Sequence, residues 1–305
     1  VVVSDHMLKE TNTELSKLPI TLLQPQFENS SKAKALQFAI DNIHDNFDNI
    51  VILDADNIVQ PDFLEKLNEI CNQGFSAIQC HRCAKNAENQ IAQLDGISEE
   101  INNSLFRKGH NNIGLSSALI GSGMCFDYLW FKAHVHLLST AGEDREIEKM
   151  LLIEHIYIKY VEDIDVFDEK VGNEDNFQLQ RQRWMSAQLN CLLSMMKNLP
   201  TSIVHLNVNY IDKTIQQMLI PRSMLLVGTF VRALLMFVFE MSWADKRWAR
   251  FALTSLSLWI AIPRKMRNGG LAQLITHLPR LTWRMMSNIR HIDSENREFI
   301  HTSHE

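Results

Sequence analysis

Three polar clusters, read in order, carry the residues whose types could do chemistry. Asp54-Ala55-Asp56 follows an apolar run at 50–53, Glu143-Asp144 opens an amphipathic stretch, and Gln180-Arg181-Gln182-Arg183-Trp184 lies further on. If 50–53 is a strand, alternation points Asp54 and Asp56 to one side, with Ala55 opposite. Two carboxylates so placed attract a hard divalent cation, Mg2+ or Mn2+, that can bridge diphosphate oxygens. Aspartates at strand ends also close turns, and the spacing serves both readings. Asp144 either caps the helix that follows Gly142 or takes the proton of an attacking hydroxyl. On a helix, Gln180, Arg183 and Trp184 share a face. There a guanidinium suits a diphosphate and an indole suits a sugar or a cation, although a surface ion pair beside a core Trp has the same pattern. Weaker signals are Gly121-Ser122-Gly123, a place for close backbone approach or a plain turn; Lys32 and Lys34, which meet phosphate or solvent; and Asp5, which accepts from a nucleoside or caps a turn. Taken together, the three main clusters suit sugar transfer from a nucleotide donor.

These groups need a frame to hold them. Short apolar runs alternate with helical stretches over residues 1–170, which predicts an α/β domain with a mostly parallel sheet and crossover helices. Strands are expected at 1–4, 20–23, 50–53, 75–79, 157–161 and 166–168. Helices are expected at 10–18, 32–46, 62–72, 88–107, 127–134, 145–152 and 177–198, the last ended by Pro200. A strand that ends in Asp54 and Asp56 sets them at the carboxyl edge of the sheet, where open α/β folds bind ligands. The chain divides into residues 1–200 and a helical region, 201–305.

The second part changes in composition. Residues 218–239 are nearly apolar, interrupted by Arg222 and Arg232, and 251–262 are apolar but short. As a helix, 223–239 would be about 25 Å long, against ~30 Å of hydrocarbon. Trp243, Trp248 and Trp259 and flanking Lys246, Arg247, Arg250, Arg264, Lys265 and Arg267 suit a membrane, crossed or lain upon. A soluble helical subdomain is the other reading. Net charge is −6, so no global basic field draws nucleic acid. The five cysteines include Cys80-His81-Arg82-Cys83, which has zinc-like spacing without the second pair a zinc site needs; reduced thiols are expected.

The order of these elements resembles the membrane-associated family 2 glycosyltransferases with the GT-A (Rossmann-like) fold, relatives of cellulose, hyaluronan and poly-N-acetylglucosamine synthases. The matching stretches are Lys32-Ala33-Lys34-Ala35-Leu36, Leu53-Asp54-Ala55-Asp56-Asn57, Gly121-Ser122-Gly123-Met124-Cys125-Phe126, Gly142-Glu143-Asp144-Arg145-Glu146 and Gln180-Arg181-Gln182-Arg183-Trp184. The tail Phe299-Ile300-His301-Thr302-Ser303-His304 also looks like the end of some bacterial members. The resemblance implies that Asp54 contacts the nucleotide, Asp56 ligates Mg2+ or Mn2+, and Asp144 is the general base. It implies that Asp5, Lys34, Gln180, Arg183 and Trp184 hold a nucleotide-sugar, a UDP-sugar first, with Gly121, Ser122, Gly123 and Glu143 on the acceptor side. It implies an inverting enzyme of bacterial surface polysaccharide synthesis, acting on a glycan or lipid-linked acceptor at the cytoplasmic face of the inner membrane. The family's first strand and its loop have no counterpart here, so a truncated front edge is expected. Gly142 stands where many relatives have Thr or Ser, which weakens the helix cap. The alternatives are a catalytically silent fragment and a soluble nucleotide- or cation-binding α/β protein.

Overall fold

The computed structural model describes residues 1–85, 90–140, 142–170, 174–239 and 243–267; the tail motif at 299–304 lies outside them. In chain order the elements are β1 (Val2–Val3), α1 (Lys9–Leu15), β2 (Leu22–Leu23), α2 (Lys32–Asn42), β3 (Asn49–Ile52), β4 (Ile58–Val59), α3 (Phe63–Cys71), β5 (Ala77–Ala84) and α4 (Gln90–Asn102). A π-helical stretch, Asn103–Gly109, carries α4 into α5 (His110–Asn112). Then come β6 (Met124–Asp127), α6 (Tyr128–His134), α7 (Glu143–Ile153), β7 (Ile158–Asp168), α8 (Glu174–Val204), α9 (Val208–Met218), α10 (Arg222–Val238) and α11 (Ala244–Ala261).

The main sheet has the order β3-β6-β5-β7-β4, and β1 and β2 form a separate parallel pair. Within the main sheet only β5 and β7 are parallel; the other three pairings are antiparallel. The expectation of a mostly parallel sheet is therefore corrected: the sheet is mixed. The reason is local. Gly121 and Gly123 adopt φ of +78° and +65°, conformations that cost an L side chain about 1–2 kcal/mol. They turn the chain at the end of β3, so β6 starts beside Ile52 and runs back between β3 and β5. Apolar periodicity reports burial and carries no strand direction.

Alternation along the strands feeds two cores. Ala77, Met124 and Phe126 face α6, α7, α8 and α9 through Phe131, Leu151, Leu152, Met195 and Tyr210. Ile78, Cys80 and Cys125 face the other way, onto Phe63 and Leu67 of α3. Each fully buried large apolar side chain stabilises by about 1.5–3 kcal/mol. The Cys80 and Cys83 pair is divided by this geometry: Cys80 is in the α3 core, while the Cys83 thiol points to the Val166 carbonyl. Burial pushes both thiols up to about 12, which disfavours the thiolate a metal needs.

Helix α8 does not stop before Pro200 as expected; it runs on to Val204. Packing against α9 outweighs the lost backbone bond, with Met195 and Tyr210 fully buried and the Tyr210 hydroxyl donating to the Met195 carbonyl at 3.0 Å. No single described helix is long and apolar enough to cross a membrane; α9 and α10 pass that test only together, bent by 61°.

Candidate active site

β3 ends at Ile52, and the turn after it brings Asp54 and Asp56 to Asp168, the last residue of β7. One carboxylate oxygen from each lies within 4.8 Å of the others. Three carboxylates this close repel unless the fold fixes them. Asn57 does much of that. Its Nδ2 donates to Asp56 Oδ1 and to Asp168 Oδ1, both at 3.2 Å. Its Oδ1 accepts the Asp54 backbone N–H at 3.1 Å and the Ser122 hydroxyl. Ser122 Oγ also accepts the Asp54 N–H at 3.1 Å, so the buried serine supports the aspartate turn from behind.

Cations approach the triad from two sides. Arg82 donates to Asp168 Oδ2 at 2.7 Å and Lys170 at 2.9 Å. Burial alone would raise the Asp168 carboxyl, but the Arg82 and Lys170 charges overcome it and hold it below the usual carboxylate range. On the other side, the first residue of α2, Lys32, contacts Asp54 Oδ1, donates to the Gly121 carbonyl at 2.6 Å and lies 3.7 Å from Glu143 Oε1. Lys34 sits elsewhere: its ammonium donates to the Asn29 carbonyl at 2.6 Å on an exposed face. Of the two lysines, it is Lys32 that joins the aspartates.

Glu143 and Asp144 open α7, where the unpaired N–H groups and helix dipole favour negative charge. Glu143 is buried beneath Lys32. Burial, then the neighbouring Asp144 charge, push its carboxyl up to about 7. Asp144 is half-buried and accepts the Arg145 backbone N–H at 2.9 Å. Gly142 gives the helix no side-chain cap. Its value is steric, since a Cβ there would lie 3.1 Å from that of Ala187, so glycine lets α8 pass close to the α7 terminus. That approach brings in the Gln-Arg-Gln-Arg-Trp segment. Burial lowers the Arg183 guanidinium and the Glu143 charge acts against that fall, which sets Arg183 in the field of the same cluster. Arg181 turns to α4, pairing with Asp95 at 2.7 Å and covering the Trp184 ring at 4.7 Å from its centroid. The Gln180 side-chain oxygen is buried without a hydrogen-bond partner. A Cβ at Gly121 would lie 3.9 Å from both Glu143 Oε1 and Lys32 Nζ, so any side chain there would enter the cluster.

Asp5 takes a different place. Its carboxylate accepts the Phe27 backbone N–H at 3.1 Å and ties the loop after β2 to the end of β1. The structure therefore gathers Asp54, Asp56, Gly121, Ser122, Glu143 and, through its field, Arg183. It adds Asp168, Lys32, Asn57, Arg82 and Lys170, which the motifs did not single out as a group. One signal for Asp168 was available: Val166-Phe167-Asp168 is a strand ending in aspartate, as the run before Asp54 is.

The donor set suits a hard divalent cation. Three carboxylates offer only oxygen, and Asp168 is held ionised by two flanking cations. Asp54, Asp56 and Asp168 would hold such an ion.

No curated protein sequence matches this chain. Among solved structures, a crystal structure of residues 1–349 of S. aureus TarS is similar over 97% of this chain and 80% of that one, with 11% identity and a TM-score of 0.45. The family model described as glycosyl transferase family group 2 matches residues 49–284, a span that holds the triad, Glu143-Asp144 and the Gln-Arg-Gln-Arg-Trp helix. The chain belongs to glycosyl transferase family group 2 and is a glycosyltransferase.

Proposed function

We propose that this glycosyltransferase moves a sugar, with inversion, from a nucleoside diphosphate sugar to a hydroxyl of a glycan or lipid-linked acceptor. The donor class favoured is a UDP-sugar, and the setting is bacterial surface polysaccharide synthesis at the cytoplasmic face of the inner membrane. The observation that carries the reading is the meeting of Asp54, Asp56 and Asp168 at one sheet edge, beside the Glu143-Asp144 helix terminus. A divalent cation bound there supplies positive charge against the leaving diphosphate.

The protein groups divide the remaining work. Asp56 and Asp168 would hold the ion together with Asp54, which also faces the nucleotide. Asn57 fixes Asp56 and Asp168 by donating to both. Asp144 accepts the proton of the acceptor hydroxyl as its oxygen bonds to the anomeric carbon and the carbon–oxygen bond to the diphosphate breaks, the electron pair leaving on the diphosphate. One proton acceptor and a leaving group on the opposite face suffice for a direct displacement, which inverts the anomeric carbon. Arg183 and Gln180, with Trp184, hold the departing diphosphate and the acceptor end.

The test is calorimetric. Asp56→Asn should lose most of the Mn2+-dependent part of nucleoside diphosphate binding and little of the binding seen without metal. Superimposable titrations of the two proteins, with and without Mn2+, would remove the reading.

A further inference from the structure

At the junction of α4, α8 and the start of α10, three arginines crowd together. Two are neutralised. Arg107 pairs with Glu99 at 2.7 Å, both buried, and Arg181 pairs with Asp95 at 2.7 Å. Arg222, the first residue of α10, is different. Its Nη2 donates to the carbonyl and the hydroxyl of Ser98, each at 3.1 Å. Its Nη1 is buried with no hydrogen-bond partner, and among the described residues no carboxylate pairs with it. Arg181 Nη2 reaches the same Ser98 hydroxyl at 3.5 Å, so two guanidiniums converge on one neutral oxygen. Burial, then the Arg181 charge, pull the Arg222 guanidinium down to about 10, while Glu99 acts in the opposite sense. It remains charged at neutral pH.

A residue needed only to brace α10 against Ser98 could be a glutamine. An arginine with a second nitrogen buried and unused carries an unmet requirement for an anion, and a buried polar atom left so is rare enough to need a cause. The position says which anion. Glu99, the partner of Arg107, lies 3.9 Å from Lys170, and Lys170 holds Asp168 of the carboxylate triad at 2.9 Å. Arg222 is outside that run of ion pairs but borders it, since its partner Ser98 precedes Glu99 in α4. It is also the last cation before the apolar run of α10, at the border between the catalytic body and the apolar helices. Forked N–H donors facing phosphate oxygens are the geometry for which arginine is used in place of lysine.

We propose that Arg222, with Arg181 beside it, forms a diphosphate-binding site distinct from the Gln-Arg-Gln-Arg-Trp contact through Arg183. This rests on the reading of the triad as a nucleotide-sugar site. The ligand chemistry is a diphosphate ester, from either of two sources: the departing nucleoside diphosphate or the linkage of a lipid-bound acceptor.

The test is a set of titrations on the full chain, wild type against Arg222→Gln. The probes are a nucleoside diphosphate, its parent nucleoside, a short-chain prenyl diphosphate in detergent micelles, and inorganic pyrophosphate without divalent metal. Loss of one charged hydrogen-bonding fork should weaken pyrophosphate and one of the two diphosphate esters about 10- to 100-fold and leave the nucleoside unchanged. Selective loss of the nucleoside diphosphate assigns the donor, and selective loss of the prenyl diphosphate assigns the acceptor. Equal binding of all probes by both proteins overturns the proposal. If the glutamine variant loses its cooperative melt, Arg222→Lys takes its place. A point charge cannot make the forked contact, so unchanged pyrophosphate affinity in that variant also overturns it. Because the pyrophosphate arm needs neither metal nor a nucleotide pocket, failure of the triad reading and failure of the Arg222 site give different results.

Discussion

At the scale of single residues, Glu143 has the clearest experimental signature. Burial first, then Asp144, raise its carboxyl to about 7, against an ordinary value near 4.5. A raised carboxyl means the folded state holds its proton longer than the unfolded chain does. Stability therefore falls as pH climbs from about 4.5 to 7, and the full cost remains above that. Glu143→Gln should be isostable with wild type near pH 4 and more stable by about 1–3 kcal/mol near pH 8. Urea unfolding at the two pH values reads this directly, and a constant difference would contradict it. The same neighbourhood shows what spacing can reveal. Asp54 and Asp56 were legible as a pair two positions apart after an apolar run, although β3 stops at Ile52 and the turn held by Asn57 and Ser122, not strand alternation, places them. Asp168 was harder to read, because Asp54, Asp56 and Asn57 lie more than a hundred residues away and its one signal, a strand ending in aspartate, has no spacing to pair it with them. The lysines illustrate the same limit: positions 32 and 34 differ by about 200° around a helix, and only the docking of α2 decides which of them meets Asp54.

At the scale of elements, α4 is the strut behind the site. It supplies Asp95 to Arg181, Ser98 to Arg222, and Glu99 to Arg107. Its hold on the sheet includes a histidine with both ring nitrogens on carboxylates: His81 Nδ1 lies 2.8 Å from Asp165 of β7 and Nε2 lies 3.1 Å from Glu100 of α4. Burial works against the charged ring, but Glu100 and Asp165 together prevail and raise it. The contribution is then complete below the ordinary histidine value and disappears as pH rises through the raised one. His81→Gln should cost about 1.5–3 kcal/mol at pH 6 and distinctly less at pH 9, by urea unfolding. A loss independent of pH would mean that the ring only packs. Periodicity located most helices and the longer strands. It gave no strand at β6, because four residues between a glycine turn and a helix have no readable period. It also divided β7 in two, because the register jump opposite Cys80 and His81 interrupts the alternation.

For the molecule as a whole, the helices after residue 200 present an apolar exterior. Leu234, Leu235, Phe237, Val238 and Phe239 of the α10 end are exposed, as are Leu253, Leu256 and Ile260 of α11. Phe230, Trp248 and Phe251 pack between the two helices, with ring centroids 5.3–6.0 Å apart. Apolar patches of this kind mark contact with another surface, and basic residues lie nearby in Arg232, Lys246, Arg247 and Arg250. A phospholipid interface is the expected partner, and the pair would lie in its plane. The full chain should float with anionic phospholipid vesicles, and Leu234→Asp combined with Phe237→Asp should release it. A monodisperse monomer in plain buffer that ignores vesicles would refute this. The apolar composition of residues 218–239 and 251–262 was readable from sequence. The antiparallel return of β6 and the bend of 61° between α9 and α10 were not, because both depend on what the chain packs against.

The tie from Asn57 to Asp168 spans 111 positions along the chain. Closing a loop of that length has an entropic cost that must be met before any contact across it is gained, so pairings of this kind form late in folding. During synthesis the carboxylate triad cannot exist until β5, β6 and β7 have all emerged and paired, since Asp168 is the final residue of the last of these. Cation uptake would thus serve as a clock. In a refolding experiment Mn2+ capture should trail the recovery of helical signal, because the sheet must close around Asn57 before three like charges can be held at one edge.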